Sequence, residues 1–316
     1  MKKTIILVLL FAVISPVNAV TTMTSLFNDV TLLKTTPQTL ESLQAAVKPF
    51  QEVKGCNLIT QGFINPIGDE LIKPVNHGFL LMYQKQTAYL SSAIISQYTD
   101  EKENQLEIQE NRLLSSSEKT QLKKEMTCEL IPRAFQLKLN IPIYIDAASG
   151  LVLFGSADKA DVALFKANLA ANGLVVDYAK TLEVPRITMT QWVINQQYPT
   201  GFNFTKYAYL ATPEEKPYTK YLQGLSLNLV SVLPLIEQGY QVTGLGIVID
   251  GNYGILRYSY NKQNEITVSS LKMNTALKVI ETTNKVADFE IRLNETLNKL
   301  IPYFNTLITS FGGLTQ

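Results

Sequence analysis

The stretch Leu130-Ile131-Pro132-Arg133-Ala134-Phe135 follows a charged segment with helical character. Pro132 lacks an amide hydrogen and its ring clashes with the preceding turn, so the sequence predicts that the helix stops here. Arg133 and Phe135 then place a cation and an aromatic ring beside the break. Two interpretations are open: the pair belongs to an exposed contact surface, or an ordinary helix end folds back into the core.

The segment before this break is dense in charges and glutamine, and residues 91–131 contain neither Gly nor Pro. Ser115 followed by Glu118 forms a capping box, which predicts that a second helix begins there. The apolar face of that helix is thin, and its other face carries Lys119, Lys123 and Lys124. We interpret residues 91–138 as a helical projection from the body, with a solvated surface helix pair as the alternative.

The flanking regions predict an α+β fold. Residues 23–90 and 139–200 form a central α+β body, and residues 201–316 form a C-terminal α+β region that ends in a helical segment. Predicted strands are Leu26–Leu33, Phe79–Tyr83, Ile141–Ile145 and Leu151–Phe154. Predicted helices are Pro37–Val47 with Thr36 as its cap, Ala157–Ala171, and most of residues 265–312 with an interruption at Pro302.

Two β-hairpin modules are indicated by an internal echo. Ile145-Asp146 precedes Gly150, and Ile249-Asp250 precedes Gly254 at the same spacing. Asp favours turn entry, and Gly is favoured where φ is positive. Either a duplicated unit or common turn chemistry explains the echo.

Composition restricts the class of protein. The chain has 316 residues, of which 46% are hydrophobic and 17% charged, which is typical of a folded protein rather than a disordered one. The net charge is only +1. Any nucleic-acid binding must therefore depend on local clusters of Lys and Arg rather than on an overall basic field.

Residues 1–22 have the character of a secretory signal. Lys2 and Lys3 precede a short apolar run from Thr4 to Ile14, and small residues end the segment at Ala19. The run is too short to span a membrane comfortably. Two cysteines, Cys56 and Cys128, lie far apart in sequence and show no metal-ligand spacing. We expect two unpaired buried thiols, with a disulfide as the alternative after export.

Catalytic chemistry finds little support in the sequence. His77 is the one histidine, which disfavours His-based catalysis and most zinc sites. Gly244-Leu-Gly246 precedes a strand rather than a helix, and there is no phosphate-binding loop of the Walker type. We therefore expect a non-enzymatic protein with no cofactor, no metal and no small-molecule substrate.

A binding surface is the remaining possibility, and two basic groups are candidates. The first surrounds the helix stop, and the second is an aromatic-basic stretch from Lys206 to Gln223. Lys and Arg neutralise phosphates, and Tyr and Gln add hydrogen bonds to them. The alternative is a charged face that keeps the protein soluble. The first group is Lys119, Lys123, Lys124, Arg133 and Lys138.

Four motifs in order resemble the bacterial recombination-associated RdgC family. They are Gly62-Phe63-Ile64-Asn65-Pro66-Ile67-Gly68, Leu130-Ile131-Pro132-Arg133-Ala134-Phe135, Ile145-Asp146 with Gly150-Leu151, and Ile187-Thr188-Met189-Thr190-Gln191-Trp192-Val193 followed by Gly201-Phe202. The resemblance covers about residues 23–260 and implies an RdgC-like fold. It also implies a homodimer that closes into a ring around double-stranded DNA, binds without sequence preference and restrains RecA-driven recombination.

The resemblance also implies residue roles. Phe135 would contact the second copy of the chain, and Arg133 would point to DNA. The family's Lys-Gln pair maps onto Lys220 and Gln223, which Tyr221-Leu222 separates here. Met23 lies where the family begins, so a start at Met23 would place the protein at the cytoplasmic nucleoid. Cleavage after Ala19 would instead make it an exported α+β binding protein of unknown ligand.

Overall fold

A computed structural model describes residues 26–52, 56–212, 219–223, 229–259, 265–273 and 285–315. The signal-like segment 1–22 and Met23 lie outside these ranges. The strands are β1 (Val30–Lys34), β2 (Ile59–Ile64), β3 (Lys73–Val75), β4 (Gly78–Tyr89), β5 (Phe135–Asp146), β6 (Leu151–Phe154), β7 (Asp177–Tyr178), β8 (Phe202–Ala211), β9 (Thr219–Gln223), β10 (Gln241–Ile249), β11 (Asn252–Ser259) and β12 (Glu265–Lys272). The helices are α1 (Leu40–Ala46), α2 (Ser92–Glu110), α3 (Ser116–Leu130), α4 (Lys159–Ala171), α5 (Pro185–Asn195), α6 (Leu229–Glu237) and α7 (Lys285–Thr309).

The twelve strands join one antiparallel sheet. Ten of them follow the order β2-β4-β5-β6-β1-β12-β11-β10-β8-β9, while β3 pairs with β4 and β7 pairs with β1. The sheet therefore passes through both the central body and the C-terminal region. This architecture confirms the predicted α+β class with antiparallel strands.

The sheet has a hydrophobic core on each of its two faces. Leu32 belongs to one core and Leu33 to the other, as do Tyr144 and Ile143. Successive side chains of a strand point to opposite faces, so this alternation separates the cores. Helices α1 and α4 cover one face, and α5 and α7 cover the other.

Residues 91–138, predicted as a helical projection, contain a hairpin of α2 and α3 between β4 and β5. The capping box is confirmed: the Ser115 amide donates to the Glu118 carboxylate at 2.8 Å, and the Glu118 amide donates to the Ser115 hydroxyl at 3.3 Å. The hairpin has a small core of its own, made by Leu114, Leu122 and Met126. Little of the hairpin is therefore stabilised by packing, and its position depends largely on its connections to β4 and β5.

The helix stop at Pro132 is also confirmed. Helix α3 ends at Leu130, a 3₁₀ turn covers Ile131–Arg133, and β5 begins at Phe135. The Gln136 side-chain amide donates to the Ile131 carbonyl at 2.8 Å, which ties the turn to the strand. Strand β5 thus starts six residues before the predicted strand at Ile141.

Other element boundaries differ from the sequence prediction for local reasons. Thr39 rather than Thr36 caps α1, because its hydroxyl accepts the Ser42 amide. Residues 265–272 form a strand rather than a helix, since Ile266 and Val268 are buried on one face. Helix α7 continues through Pro302 instead of stopping there.

The prediction of two β-hairpins is confirmed, but the predicted role of Gly254 in the turn is wrong. Both β5–β6 and β10–β11 are antiparallel hairpins, and Gly150 has a positive φ of 69°. In the second hairpin Asp250 and Gly251 have the positive φ values. Gly254 lies inside β11, where a Cβ would come within 2.6 Å of Tyr303 Oη. It is needed for close packing rather than for the turn.

The expectation of two unpaired buried thiols is wrong. Cys56 and Cys128 form a disulfide, with their Cα atoms 4.3 Å apart. Cys56 is exposed and Cys128 is half-buried. The two meet because β2 and β5 both pair with β4, so the segment before β2 and the last turn of α3 lie at the same end of these strands.

Among the described residues, no helix is both long enough and apolar enough to cross a membrane.

Candidate nucleic-acid interface

The base of the projection carries an exposed apolar strip on the sheet. It extends from the end of β4 and the start of β5 to the neighbouring β2. Side chains here remain 40% to 71% exposed. We call this set the apolar strip: Ile59, Tyr89, Phe135, Leu137 and Leu139.

The apolar strip continues the face that α1 and α4 cover further along. Phe135, Leu137 and Leu139 alternate in register with Ile141, which is only 2% exposed. Burial therefore stops where the helices stop, while the apolar pattern goes on. Large apolar groups left uncovered in this way mark contact surfaces more often than ordinary solvated faces.

The opposite face of the same strands is polar, and two side-chain hydrogen bonds cross it from β4 to β5. The Gln84 side chain donates to Asn140 Oδ1 at 2.8 Å, and the Gln86 side chain donates to Gln136 Oε1 at 3.2 Å. Gln84 and Gln86 are buried. The two faces of β4 and β5 therefore differ sharply, and the large exposed apolar side chains of these strands all lie on one of them.

Cations surround the end of α3. The Arg133 side chain is 71% exposed and lies 3.3 Å from the Glu129 carboxylate one turn earlier. Lys123 and Lys124 are exposed on α3. In the described part of the chain, neither of these two lysines forms an ion pair. Their charges are available to a phosphate ligand.

The other two members of this basic group are engaged. Lys119 forms ion pairs with Glu103 and Glu107 of α2, and the hydrogen bond to Glu103 raises the pKa of Lys119. Lys138 pairs with Glu52 at 3.2 Å and lies 5.9 Å from the centroid of the Phe50 ring. Both cations, like Arg133, already have a carboxylate partner, so Lys123 and Lys124 are the stronger candidates for phosphate contacts.

The structure does not bring the second basic group near the first within one chain. Lys220 and Gln223 belong to β9, which is the last strand of the sheet, whereas β5 is the third. Seven strand spacings separate them, about 34 Å along the sheet. In register, Lys220 pairs with Leu210 and Gln223 with Tyr207. Lys216 and Tyr218 lie outside the described residues.

The described ranges hold no group of three or more His, Cys, Asp or Glu side chains that could bind a metal ion. His77 lies in the two-residue turn between β3 and β4, as expected for a loop residue.

Comparison with known proteins identifies the family of this chain. The family described as "Putative exonuclease, RdgC" matches residues 26–311. The chain belongs to the RdgC family. Proteins named recombination-associated protein RdgC are similar to it: that of Laribacter hongkongensis is 26% identical over 88% of this chain and 94% of its own length. The one from Paraburkholderia phymatum is 23% identical over 84% and 87%.

A third relative, from Shewanella loihica, is 25% identical over 79% of this chain and 83% of its own length. These matches confirm the resemblance drawn from the four motifs. The family name supports a role connected with recombination. The word exonuclease in the family description leaves the expectation of a non-enzymatic protein unconfirmed.

Sequence reasoning found Phe135 but missed the rest of the apolar strip. A signal was present, because Phe135, Leu137, Leu139 and Ile141 alternate with polar residues at the period of a strand. The alternation was hidden by assigning residues up to 138 to the projection.

Proposed function

We propose that this chain binds double-stranded DNA without sequence preference as a ring-shaped homodimer, and so restrains RecA-dependent recombination. The observation that carries the proposal is the junction at the end of α3. There Arg133, Lys123 and Lys124 are exposed, and the apolar strip begins at Phe135, two residues after Arg133. Family membership supports the link to recombination.

The apolar strip supports the dimeric part of the proposal. Phe135 and Tyr89 form the last pair of the β4–β5 ladder, so an identical strip on a second copy can meet them across a two-fold axis. Large aromatic anchors of this kind contribute most of the energy of protein–protein interfaces.

The wide separation of the two basic groups supports an extended ligand. Two basic groups on strands seven positions apart in the sheet are better suited to an extended ligand than to a small molecule. They can follow the backbone of a duplex, where Lys and Arg contact phosphates regardless of sequence. A closed ring would retain the duplex topologically, so a few phosphate contacts would be enough for long residence.

Fluorescence anisotropy with a labelled random-sequence duplex tests the binding step. We expect binding at 50 mM salt and a fall in log K of about 0.9 per log unit of salt for each phosphate neutralised. Equal affinity for unrelated sequences and slower RecA strand exchange on a coated duplex are also expected. Absence of binding at low salt would overturn the proposal.

The same samples test whether the protein is an enzyme. Incubating the end-labelled duplex with magnesium and resolving it on a denaturing gel would show any shortening. An intact duplex supports a binding protein. Progressive loss of nucleotides would refute the non-enzymatic part of the proposal and support the exonuclease description of the family.

A second candidate is an exported protein that reuses the RdgC scaffold for another ligand. The Cys56–Cys128 disulfide favours it, because structural disulfides persist in oxidising compartments and are rare in the cytosol. The signal-like residues 1–19 agree with it. The mass of the mature protein separates the candidates: an N-terminus after Ala19 supports export, and one at Met23 supports the cytoplasmic nucleoid.

A further inference from the structure

The helical projection has only a few attachments to the sheet. Its ends continue into β4 and β5, which are paired with each other at Tyr89 and Phe135. Its internal core contains Leu114, Leu122 and Met126. Next to the sheet, Leu130 and Ile131 are the buried residues at its base. Two adjacent chain ends and one small contact hold the hairpin to the sheet. The end of the β4–β5 ladder is therefore the axis about which the hairpin can tilt.

The disulfide adds a third attachment at a different strand. Cys128 lies in the last turn of α3, and Cys56 lies three residues before β2, on the far side of β4 from β5. The link therefore fixes α3 across the hinge line defined by β4 and β5. It also lies seven residues before Phe135, at the edge of the apolar strip.

The disulfide is accessible to exchange. Cys56 is exposed and Cys128 is half-buried, so an attacking thiolate can approach the bond. The chain has two cysteines in all. Within one chain, reoxidation can therefore form only the original disulfide.

We propose that Cys56–Cys128 is a redox-cleavable tether that fixes the projection on the sheet, and that a dithiol reductant releases it. In the exchange the S–S bond accepts two electrons and two protons and becomes two thiols, while the dithiol closes into its own disulfide. Release lets α2 and α3 tilt about the β4–β5 junction and lose their contact with the sheet at Leu130 and Ile131, so the hydrogen bonds within the two helices open more often. The proposal stands independently of DNA binding.

Hydrogen exchange read by mass spectrometry tests the tether on the full chain. We expect reduction with dithiothreitol to speed exchange at least tenfold in peptides from residues 92–130, while peptides from β10 and β11 stay unchanged. The double variant Cys56→Ser/Cys128→Ser should exchange at the fast rate with or without dithiothreitol. Wild-type protein needs no substitution, so a folding defect in the variant cannot obscure the result.

Two results would overturn the tether. Unchanged exchange of residues 92–130 on reduction would show that the disulfide restrains nothing. Two titratable thiols in native protein treated with oxidised glutathione would show that the bond does not form. Neither measurement includes DNA, so failure here is distinguishable from failure of duplex binding.

Discussion

Tyr89 and Phe135 face each other as the last pair of the β4–β5 ladder, with their ring centroids 6.4 Å apart. Tyr89 is 60% exposed and Phe135 is 71% exposed. A cross-strand aromatic pair adds only about 0.2–1 kcal/mol to the fold. Because the two rings contribute so little to the stability of the chain and are so exposed, they are well suited to contact another molecule.

Phe135→Ala should weaken the homodimer while leaving the chain folded. Truncating an aromatic anchor at an interface costs roughly 2 kcal/mol, which corresponds to about a 30-fold higher dissociation constant. Sedimentation velocity over a dilution series measures the change. Leu182→Ala is the matched control, since Leu182 is similarly exposed at 67% but lies outside the apolar strip. Equal dissociation constants for both variants would exclude Phe135 from the interface.

The lysines of α3 should differ in their effect on DNA binding. Lys123→Ala/Lys124→Ala removes two exposed charges that have no carboxylate partner in the described structure, so the salt slope should fall by up to about 1.8. Lys119→Ala removes a charge already compensated by Glu103 and Glu107, so its slope should change less. Anisotropy titrations between 50 and 200 mM salt give both slopes. A larger change of the salt slope in Lys119→Ala would show that Lys119, rather than Lys123 and Lys124, contacts phosphate.

The sequence was most informative where a local rule acts alone. The capping box at Ser115 and Glu118, the helix stop at Pro132 and the turn at Gly150 each depend on a few neighbouring residues, and all three were predicted. The strand from Glu265 was missed because its burial depends on pairing with β1 and β11, which are remote in sequence. The Cys56–Cys128 bond was missed for the same reason, since 72 residues separate the two thiols and only the β2–β4–β5 register brings them together.

The residues of the candidate site also differ in how well the sequence predicts them. Arg133 and Phe135 could be identified because both follow directly from the helix stop. The engagement of Lys119 by α2 could not, because it depends on how two helices pack. The distance of Lys220 from Arg133 required the strand order of the whole sheet.

Lys85 and Asp161 form the most buried ion pair of the central body, with 19% and 3% of their side chains exposed. Asp161 also accepts a hydrogen bond from the Ser156 hydroxyl at 3.3 Å. Asp161→Ala leaves the Lys85 ammonium without its partner, so the free energy of unfolding should fall by roughly 3 kcal/mol. Urea denaturation measures this loss.

The double variant Lys85→Met/Asp161→Leu is the matched test of that explanation. It removes both charges and retains volume, so its stability should lie within about 1 kcal/mol of wild type. If the double variant is as unstable as Asp161→Ala, the loss comes from packing or from Ser156 rather than from an unpaired charge.

Glu118 should make the start of α3 sensitive to acid. The hydrogen bonds from Arg112, then from the Ser115 amide and hydroxyl, lower the pKa of Glu118 from its ordinary 4.5 to about 2. Because the folded chain favours the charged form, this stabilisation is complete above pH 4.5 and is lost as the pH falls towards 2. The group is exposed, so we expect local fraying of the first turn of α3 rather than global unfolding.

NMR titration of the Glu118 carboxyl carbon and the Ser115 amide measures this directly. Both signals should share a midpoint near pH 2, and Arg112→Ala should move that midpoint towards the ordinary value. Glu118→Gln should abolish the titration of the Ser115 amide. Glu125→Gln, two turns further along α3, should leave it unchanged because Glu125 pairs with Gln121 instead. A Glu118 midpoint near 4.5 in the wild-type chain would show that the capping box and the Arg112 ion pair do not hold in solution.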